Sequence, residues 1–414
     1  MRFAKPQEPE FSMLKNNMER TTVEKLKKDF YTFYGQSERP VEIFFAAGRV
    51  NLLGEHTDYN GGWVMPFAIP FGTFLLIRET NEKLWKFKSN NQPFIAQITS
   101  DKLPEPVGKT WVNYPLGIFR ELGLHETHPN GLELLFYGDI PNDAGLSSSA
   151  SIEMVTAVAL NEMYSLGLDI HEIIQIAQRS ENNFVGVNCG IMDMFAIGMG
   201  RADKVIALNC ETLEFTAIPL LVTEYGFVIA NTMKKRSLAE SGYNQRREEC
   251  DMAVEMINRV RPLKNLGQLS MKDWEALKPT IDNKKIRKRA GHVVTENQRV
   301  MEGMEILRQG DMVAFGQKMI ESHTSLRDDY EVSCRELDIM VEASIKSEGC
   351  VGSRMTGAGF GGCTISLVRN EAVENFMDIA GKQYFQKTGL KPEFYVVEPA
   401  DGIRMNKSFM NFNA

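Results

Sequence analysis

A polar stretch between two apolar runs constrains the fold of this chain more than any other feature. It spans residues 48–62 and reads GRVNLLGEHTDYNGG. Because both flanks are largely apolar, we expect the stretch in or beside the core, where a charge must be paired or take part in chemistry. A solvated turn between two buried strands is the alternative, since turns are usually polar. The strongly polar side chains are Arg49, Glu55, His56, Asp58 and Asn60.

These side chains match the needs of a ligand with many hydroxyl groups. Each sugar hydroxyl both donates and accepts a hydrogen bond; carboxylates accept, arginine donates, and histidine can do either. A plain turn has no need for an arginine, carboxylates and a histidine together. Three glycines mark places where the backbone turns or lets a ligand come close, namely Gly54, Gly61 and Gly62.

Length and charge narrow the class of protein. The 414 residues suffice for one large or two medium domains, and two are favoured. We place the boundary near 210–225 and predict domains over residues 1–220 and 221–414. The 47 basic and 54 acidic residues are interspersed and give a net charge of -7, which argues against nucleic acid or an anionic membrane surface as partner. An anionic substrate in a local pocket remains compatible.

Cysteine usage and the apolar runs predict a cytoplasmic protein. The six cysteines are scattered without a CxxC pair, so we expect free buried thiols and no structural zinc site. The N-terminus lacks the apolar core of a signal peptide. The longest apolar run, residues 64–77, is too short to span a bilayer and contains two prolines. No coiled-coil pattern or interface stripe appears, so the sequence does not determine the oligomeric state, and a monomer is our expectation.

Strands and helices alternate irregularly along the chain, which predicts an α+β fold rather than a doubly wound sheet. Apolar periodicity predicts helices over 17–36, 111–122, 171–184, 240–260, 292–308, 311–325, 333–347 and 371–387. Strands are predicted to end near Ala47 and to cover 72–78, 132–136, 204–208, 226–230, 363–368 and 393–398. A polar segment without an assigned element runs to about residue 105, and we interpret the segment 187–195 as a loop.

A second stretch, residues 138–153, reads GDIPNDAGLSSSASIE and leads from a predicted strand into a helix. Free N–H groups and the helix dipole make such a helix start an anion site. Its three successive serines can add donors or bind a hard cation such as Mg2+ through oxygen. A plain serine N-cap is the alternative, although one serine would satisfy it. The stretch is not a Walker-A loop, because no Lys-Ser/Thr follows the glycine.

Two smaller features leave structural and functional interpretations open. The cluster MTGAGFGG at 355–362 permits close approach of a ligand or tight packing of another backbone. Asp193 lies among apolar neighbours, where a carboxylate either pairs structurally or acts as a base. Glu181, near the end of a predicted helix, is by local sequence an ordinary exposed helix charge.

Together these motifs resemble the GHMP small-molecule kinases and, within them, the galactokinase family. The stretch 48–62 matches the motif special to that family, while PNDAGLSSSA and MTGAGFGGC match the second and third motifs of the wider superfamily. Further matches are CGIMD, SLAESGYNQRREEC, HVVTENQRV and SLRDDYEVS. The motifs follow in the family's order, and the resemblance covers roughly residues 20 to 405.

The resemblance implies two α+β domains with the active site in the cleft between them. It also implies that ATP phosphorylates the C1 hydroxyl of α-D-galactose. Asp193 would be the catalytic base, and Arg49 would face it beside the reacting hydroxyl. The sugar would be held by Glu55, His56, Thr57, Asp58, Gly190 and Tyr243.

The same resemblance assigns the nucleotide side. Ser149 and Glu181 would hold Mg2+, and Trp111 and Asn113 would lie near the nucleotide. The glycines of 357–362 would shape the floor of the cleft. It leaves open whether Asp193 takes the proton early or Arg49 stabilises a developing alkoxide and the proton moves late. The loop around the ATP phosphates would consist of Asp143, Ala144, Gly145, Leu146, Ser147, Ser148 and Ser149.

Three positions depart from the family's usual pattern. Asp143 stands where glycine is usual, and a carboxylate there would repel phosphates unless a cation or solvent compensates. Met194 replaces a common glutamine, and Trp63 replaces a common histidine. Two other functions fit the motifs: a kinase of another sugar such as N-acetylgalactosamine, and a non-catalytic sensor of galactose and ATP. The complete serine loop and the retained Arg49 and Asp193 argue against the sensor.

Overall fold

The computed structural model describes residues 8–128, 130–141, 144–220, 223–235 and 239–405. Asp143 lies outside these residues, so its expected effect on the phosphate loop stays a prediction. The strands are β1 (Glu42–Asn51), β2 (Trp63–Val64), β3 (Pro66–Thr80), β4 (Leu84–Ser89), β5 (Ala96–Thr99), β6 (Gly131–Gly138), β7 (Lys204–Asn209), β8 (Phe215–Pro219), β9 (Tyr225–Asn231), β10 (Cys350–Thr356), β11 (Cys363–Arg369), β12 (Glu393–Val397) and β13 (Ile403–Met405).

Helices are spread over the whole chain. They are α1 (Glu8–Tyr34), α2 (Asn113–Glu121), α3 (Leu124–Thr127), α4 (Ser148–Tyr164), α5 (Ile170–Arg179), α6 (Met192–Met199), α7 (Ala239–Asn258), α8 (Met271–Leu277), α9 (Lys284–Gln309), α10 (Met312–Ser325), α11 (Arg335–Ile345) and α12 (Val373–Thr388). Two π-helical turns, Ser180–Val185 and Leu326–Tyr330, directly follow α5 and α10.

The largest sheet has six strands in the order β13-β1-β3-β6-β4-β5 and is covered on both faces. Phe44 and Ala46 of β1 join a core that includes side chains of α2, α4, α5 and α6. Ile43 and Phe45 point the other way and pack against Phe30 of α1. Successive strand residues face opposite sides, so a strand buried on both faces becomes a continuous apolar run.

A second sheet has the antiparallel order β10-β11-β9-β12 and belongs to the second half of the chain. Strands β2, β7 and β8 form a small third sheet. The last strand, β13, returns to the first sheet and pairs with β1, so Met405 lies opposite Phe44. The predicted α+β class is confirmed, whereas the division at residue 220 stays a prediction.

Most predicted elements are present with shifted ends, but one interpretation was wrong and some strands were missed. The segment 187–195 is not wholly a loop, because α6 begins at Met192; this helix is apolar nearly all round and therefore shows no amphipathic period. The polar segment before residue 105 contains β4 and β5. Trp85 and Phe87 of β4 are fully buried, but Lys86 between them and Lys88 after them disguised the strand.

The six cysteines are free, as expected, but only Cys250 and Cys363 are buried. The expectation of buried thiols is wrong for the other four, which are partly exposed: Cys189, Cys210, Cys334 and Cys350. Within the described part of the chain, no helix combines the length and apolar character that crossing a membrane requires.

Candidate active site

The polar stretch begins inside β1, where the strand is irregular. The register between β1 and β3 shifts after Ala47. At the next residue the serine-rich loop comes very close, since a Cβ on Gly48 would lie 2.5 Å from the carbonyl oxygen of Leu146. The N–H of Arg49 donates to that oxygen over 3.2 Å. Only glycine permits this approach, which brings the two predicted motifs together.

Arg49 forms a two-pronged ion pair with Asp193. Its Nε lies 2.7 Å from Oδ1 and its Nη2 lies 2.9 Å from Oδ2. The Arg49 Nη1 donates to the carbonyl oxygen of Gly145 over 2.9 Å, so the same guanidinium also holds the serine-rich loop. Bidentate arginine–carboxylate pairs fix both distance and orientation. Asp193 itself lies in the first turn of α6, where the helix dipole favours a negative charge.

Ser147 does not act as a simple helix cap. Its side chain makes no cap hydrogen bond, and its backbone is left-handed, with φ 65°. Instead its hydroxyl donates to Oδ2 of Asp193 over 2.6 Å. The three serines therefore differ: Ser147 supports the carboxylate, whereas Ser148 is exposed and Ser149 is partly buried at the start of α4.

The other residues of the serine-rich loop are held by their surroundings. The side chains of Ala144 and Leu146 are buried in a core that also contains Val50 and Phe227. Their side chains thus anchor the loop, and any contact of these residues with phosphate would be through the backbone. Gly145, with φ 73°, adopts the left-handed conformation that glycine tolerates.

Glu55 is braced by three donors. Arg354 Nη2 lies 2.6 Å from its Oε2, Asn51 Nδ2 lies 3.2 Å from the same oxygen, and the N–H of Gly357 donates to Oε1 over 2.8 Å. Glu55 is 2% exposed and Arg354 is 0% exposed. The sequence interpretation missed Arg354; the available signal was a lone arginine in the strand that leads into the glycine cluster.

His56 and Asp58 lie beside this brace. The His56 backbone has φ 63°, and both ring nitrogens contact the protein: Tyr59 OH at 2.8 Å and the Ala358 carbonyl oxygen at 3.2 Å. Burial lowers the pKa of His56 to about 3. A Cβ on Gly190 would lie 2.0 Å from Oδ2 of Asp58, so glycine is required there. Burial, and then the charge of Asp193, raises the pKa of Asp58 to about 7.

Thr57 lies behind the cavity rather than on its wall. It is fully buried, and its hydroxyl contacts the carbonyl oxygens of Gly54 at 2.8 Å and Trp63 at 2.6 Å. Its hydroxyl thus shapes the turn, and the expected contact of Thr57 with the sugar stays a prediction. Trp63 is held in β2, where its N–H donates to Asn297 Oδ1. Met194, the other departure, is buried in the core.

Carboxylates and a hydroxyl form a second part of the cavity lining, apart from the polar stretch. Glu181 lies in the first π-helical turn and is 5% exposed, so the interpretation as an exposed helix charge was wrong. The Cys189 thiol donates to Glu181 Oε2 over 3.3 Å, and the Ser149 hydroxyl also bonds to Glu181. Burial, and then the charge of Asp193, raises the pKa of Glu181 to about 7. Hydroxyl and carboxylate oxygens are ligands that suit Mg2+.

A cavity of about 330 Å³ brings these walls together. Nine of the predicted residues line it: Arg49, Glu55, His56, Asp58, Ser149, Glu181, Gly190, Asp193 and Tyr243. The sequence interpretation did not assign Tyr114, Gly186, Val187, Cys189, Met192 and Asn244, which also line it, beside Gly357 and Ala358 of the glycine cluster.

Trp111 and Asn113 are not part of this lining. Asn113 closes the loop before α2 instead: its Oδ1 accepts from the N–H of Val107 over 2.8 Å, and its Nδ2 donates to the carbonyl of Gly108 over 2.7 Å. Trp111 donates through Nε1 to the carbonyl of Phe94 over 3.2 Å. Their expected position near the nucleotide stays a prediction.

Family models match three parts of the chain. The GHMP kinases N terminal domain matches residues 113–201, and the GHMP kinases C terminal domain matches residues 304–386. The galactokinase galactose-binding signature matches residues 28–79, which contain the polar stretch and β1. These matches cover both halves of the chain, and the cavity includes residues from the signature and from the N terminal domain.

Curated relatives align with nearly the whole chain. A galactokinase of Fusobacterium nucleatum is 47% identical over 384 residues, covering 92% of this chain and 98% of the relative. A galactokinase of Bacillus subtilis is 45% identical over 386 residues, with the same coverage of both chains.

Solved structures agree with this alignment. Lactococcus lactis galactokinase complexed with galactose superposes with a TM-score of 0.90 at 39% identity, over 92% of this chain and 99% of that one. A mevalonate kinase superposes with a TM-score of 0.62 at 20% identity, over 86% of this chain and 98% of that one, which shows the shared fold alone.

Proposed function

The chain belongs to the galactokinase family of GHMP kinases, and from that membership we propose that it transfers the γ-phosphoryl group of ATP to the C1 hydroxyl of α-D-galactose. The observation that carries this function is the position of the Arg49–Asp193 pair. It lies in one cavity with the polar stretch on one side and Ser149 and Glu181 on the other. A sugar held by the first wall would present a hydroxyl to Asp193 and to a phosphate held at the second.

The sugar wall offers both kinds of hydrogen-bonding partner. Asp58 and Glu55 supply acceptor oxygens, while His56 and the Tyr243 hydroxyl can donate. Gly190 leaves room for Asp58 to face the cavity, since any side chain there would overlap its carboxylate. Fixing several hydroxyls at once holds the reacting oxygen in line with phosphorus, and such orientation contributes roughly 7–11 kcal/mol to lowering a barrier.

Asp193 is the proposed base. The C1 oxygen forms a bond to the γ-phosphorus while the bond from that phosphorus to the bridging oxygen of ADP breaks, and the hydroxyl proton moves to a carboxylate oxygen of Asp193. The guanidinium of Arg49 contacts both carboxylate oxygens before the transfer. Once Asp193 is protonated, that positive charge is free to stabilise the oxygen that becomes bonded to phosphorus. Ser147 keeps the carboxylate oriented through its 2.6 Å hydrogen bond.

Ser149 and Glu181 are the proposed ligands of Mg2+. Their hydroxyl and carboxylate oxygens fit a hard cation, and among the described residues Glu181 forms no ion pair with a basic side chain. Bound Mg2+ neutralises charge on the β- and γ-phosphate oxygens of ATP. The start of α4 adds free N–H groups that can bind phosphate oxygens.

A sugar panel tests this function. Purified protein is mixed with Mg-ATP and galactose, 2-deoxygalactose, N-acetylgalactosamine, glucose, arabinose or talose, ADP release is followed by a coupled assay, and the product is identified by NMR. We expect fastest turnover with galactose and phosphate on C1. Faster turnover with another sugar would reassign the specificity. Binding of galactose and ATP by calorimetry without turnover would replace the kinase by a sensor.

A further inference from the structure

A chain of hydrogen bonds runs from His56 away from the cavity. Tyr59 OH lies 2.8 Å from His56 Nδ1 and 2.8 Å from Tyr330 OH. Tyr330 OH in turn lies 3.2 Å from the thiol of Cys250 on α7. On the other side of the ring, Nε2 lies 3.2 Å from the carbonyl oxygen of Ala358. These contacts link the polar stretch to the second π-helical turn, to α7 and to the glycine cluster.

The donor and the acceptor in each of these hydrogen bonds can be assigned by starting from the carbonyl oxygen of Ala358. The carbonyl oxygen of Ala358 can only accept, so His56 Nε2 carries a proton. Burial lowers the pKa of His56 to about 3, so the ring is neutral near pH 7 and Nδ1 accepts the proton of Tyr59. Since a hydroxyl has one proton, Tyr330 donates to Tyr59, and the thiol of Cys250 donates to Tyr330.

We propose that Tyr59 and Tyr330 are positioning residues of the sugar site, which together with the carbonyl oxygen of Ala358 hold His56 as the tautomer protonated on Nε2. In a neutral imidazole, the hydrogen bond at one nitrogen decides the role of the other. Nε2 therefore acts as a donor, which the Ala358 carbonyl oxygen of the cavity lining accepts and a ligand hydroxyl can share. This inference rests on the proposed sugar site. It requires that a ligand hydroxyl at Nε2 accept from His56 and give its own proton to a neighbouring carboxylate.

The position of the His56 ring is fixed by contacts other than the hydrogen bonds at its two nitrogens. His56 has a left-handed backbone, and the Asn60 side chain donates to its carbonyl oxygen over 2.9 Å. The ring centre lies 5.0 Å from that of Tyr330 and 5.6 Å from that of Tyr243. Since packing already determines where the imidazole lies, the specific contribution of the two hydroxyls is a donor at Nδ1, which favours the same tautomer as the Ala358 carbonyl oxygen at Nε2.

The substitution Tyr59→Phe removes the donor to Nδ1 and keeps the aromatic packing. We expect the KM for galactose to rise about tenfold, the factor that about 1.4 kcal/mol carries. The value of kcat and the KM for ATP are expected to stay within about threefold, since the reacting groups are untouched. In histidine-selective 15N NMR, the single Nε2-protonated pattern of His56 should become a mixture of tautomers.

Tyr384→Phe is the matched control. Its hydroxyl is also fully buried and donates to the carbonyl oxygen of Thr232 over 2.8 Å, but it does not line the cavity. We expect this variant to lose stability without any change in the KM for galactose or in the His56 resonances. Tyr330→Phe should raise the KM less than Tyr59→Phe does, because the direct donor to His56 is retained.

A double-mutant cycle decides whether Tyr59 acts through His56. His56→Asn is the suitable partner, because asparagine tolerates a left-handed backbone. If the inference holds, adding Tyr59→Phe to His56→Asn leaves the KM for galactose unchanged; additive effects would overturn it. A wild-type NMR pattern with the proton on Nδ1 would also overturn it. The NMR result does not depend on turnover, so an inactive wild type would contradict the proposed function while the tautomer is still tested.

Discussion

Buried carboxylates occur on two sides of the cavity and differ in the donors that compensate them. On one side, Glu55 accepts from Arg354 over 2.6 Å and from the N–H of Gly357 over 2.8 Å. On the other side, Glu181 accepts from the weak thiol donor of Cys189. Glu153, a buried carboxyl that the charge of Glu181 affects, accepts a long 3.5 Å contact from Ser180.

The difference separates a fixed part of the site from a part that favours a cation. Where the charge is compensated inside the protein, the geometry is set by the fold before any ligand binds. Glu181 lacks such compensation, and so does Asp58 beside Glu55: burial together with the charge of Asp193 raises the pKa values of both to about 7. Under the proposed function, a divalent cation would relieve the accumulated charge at Glu181, and hydroxyl donors of a sugar would relieve it at Asp58.

The largest effect is expected on kcat, from removing the negative charge of Asp193, which acts on carboxylates of both sides. Asp193→Asn keeps the shape of the side chain but removes the base and replaces one of its two acceptor oxygens by an amide donor, so we expect kcat to fall by about 10³-fold. ATP should still bind, because the start of α4 is unchanged; calorimetry measures this binding and the coupled assay measures kcat. Asp311→Asn, at the exposed N-cap of α10, is the control and should leave kcat unchanged. Ordinary turnover in Asp193→Asn would exclude Asp193 as the base.

The second-largest effect is expected on stability, from removing Arg354, the cation paired with Glu55. Arg354→Met leaves Glu55 buried without its cation, and we expect the free energy of unfolding to fall by about 3–5 kcal/mol in urea titrations. The KM for galactose should rise at the same time, because the carboxylate is no longer held at the cavity.

Arg78→Met is the control for this prediction. Arg78 and Glu133 form another buried pair at 2.6 Å, and neither lines the cavity. Its loss should lower stability to a similar extent while leaving the KM for galactose unchanged. Equal changes of KM in both variants would show that Arg354 has only a general structural role.

The sequence motifs predicted which residues belong to the site better than they predicted which side chains contact one another. Arg49 and Asp193 were named from the resemblance, and their side chains are paired across the cavity. Arg354 was missed because a single arginine in a strand has no local pattern that distinguishes it from a surface charge. Ser147 was assigned to phosphate, yet its hydroxyl contacts Asp193, since a left-handed turn redirects it.

Burial caused most of the remaining errors. Glu181 appeared exposed because local sequence does not reveal that α5 widens into a π-helical turn at Ser180. The resemblance assigned Thr57 to the sugar, and its position in the stretch does not show that its hydroxyl contacts two carbonyl oxygens. The strand β4 was missed for the opposite reason, since Lys86 and Lys88 made a buried strand look polar.

The smallest predicted effect concerns Glu153, on the side without compensation. This carboxyl is fully buried four residues after Ser149, and its Oε2 has no hydrogen-bond partner in the described part of the chain. Burial, and then the charge of Glu181, raises the pKa of Glu153 well above its usual value. The folded protein therefore retains a proton that the unfolded chain releases, so stability is greatest below the unfolded pKa and falls as the pH rises.

Glu153→Gln keeps the shape and removes this titration. We expect its free energy of unfolding to decline less than that of the wild type between about pH 5 and about pH 8, by about 1.4 kcal/mol for each unit of pKa shift removed. Urea unfolding at a series of pH values measures the difference. Glu305→Gln, an exposed position on α9, is the control and should keep the wild-type slope. A wild-type slope in Glu153→Gln as well would mean that Glu153 is ionised in the folded protein, and the two sides of the cavity would then differ less than their contacts indicate.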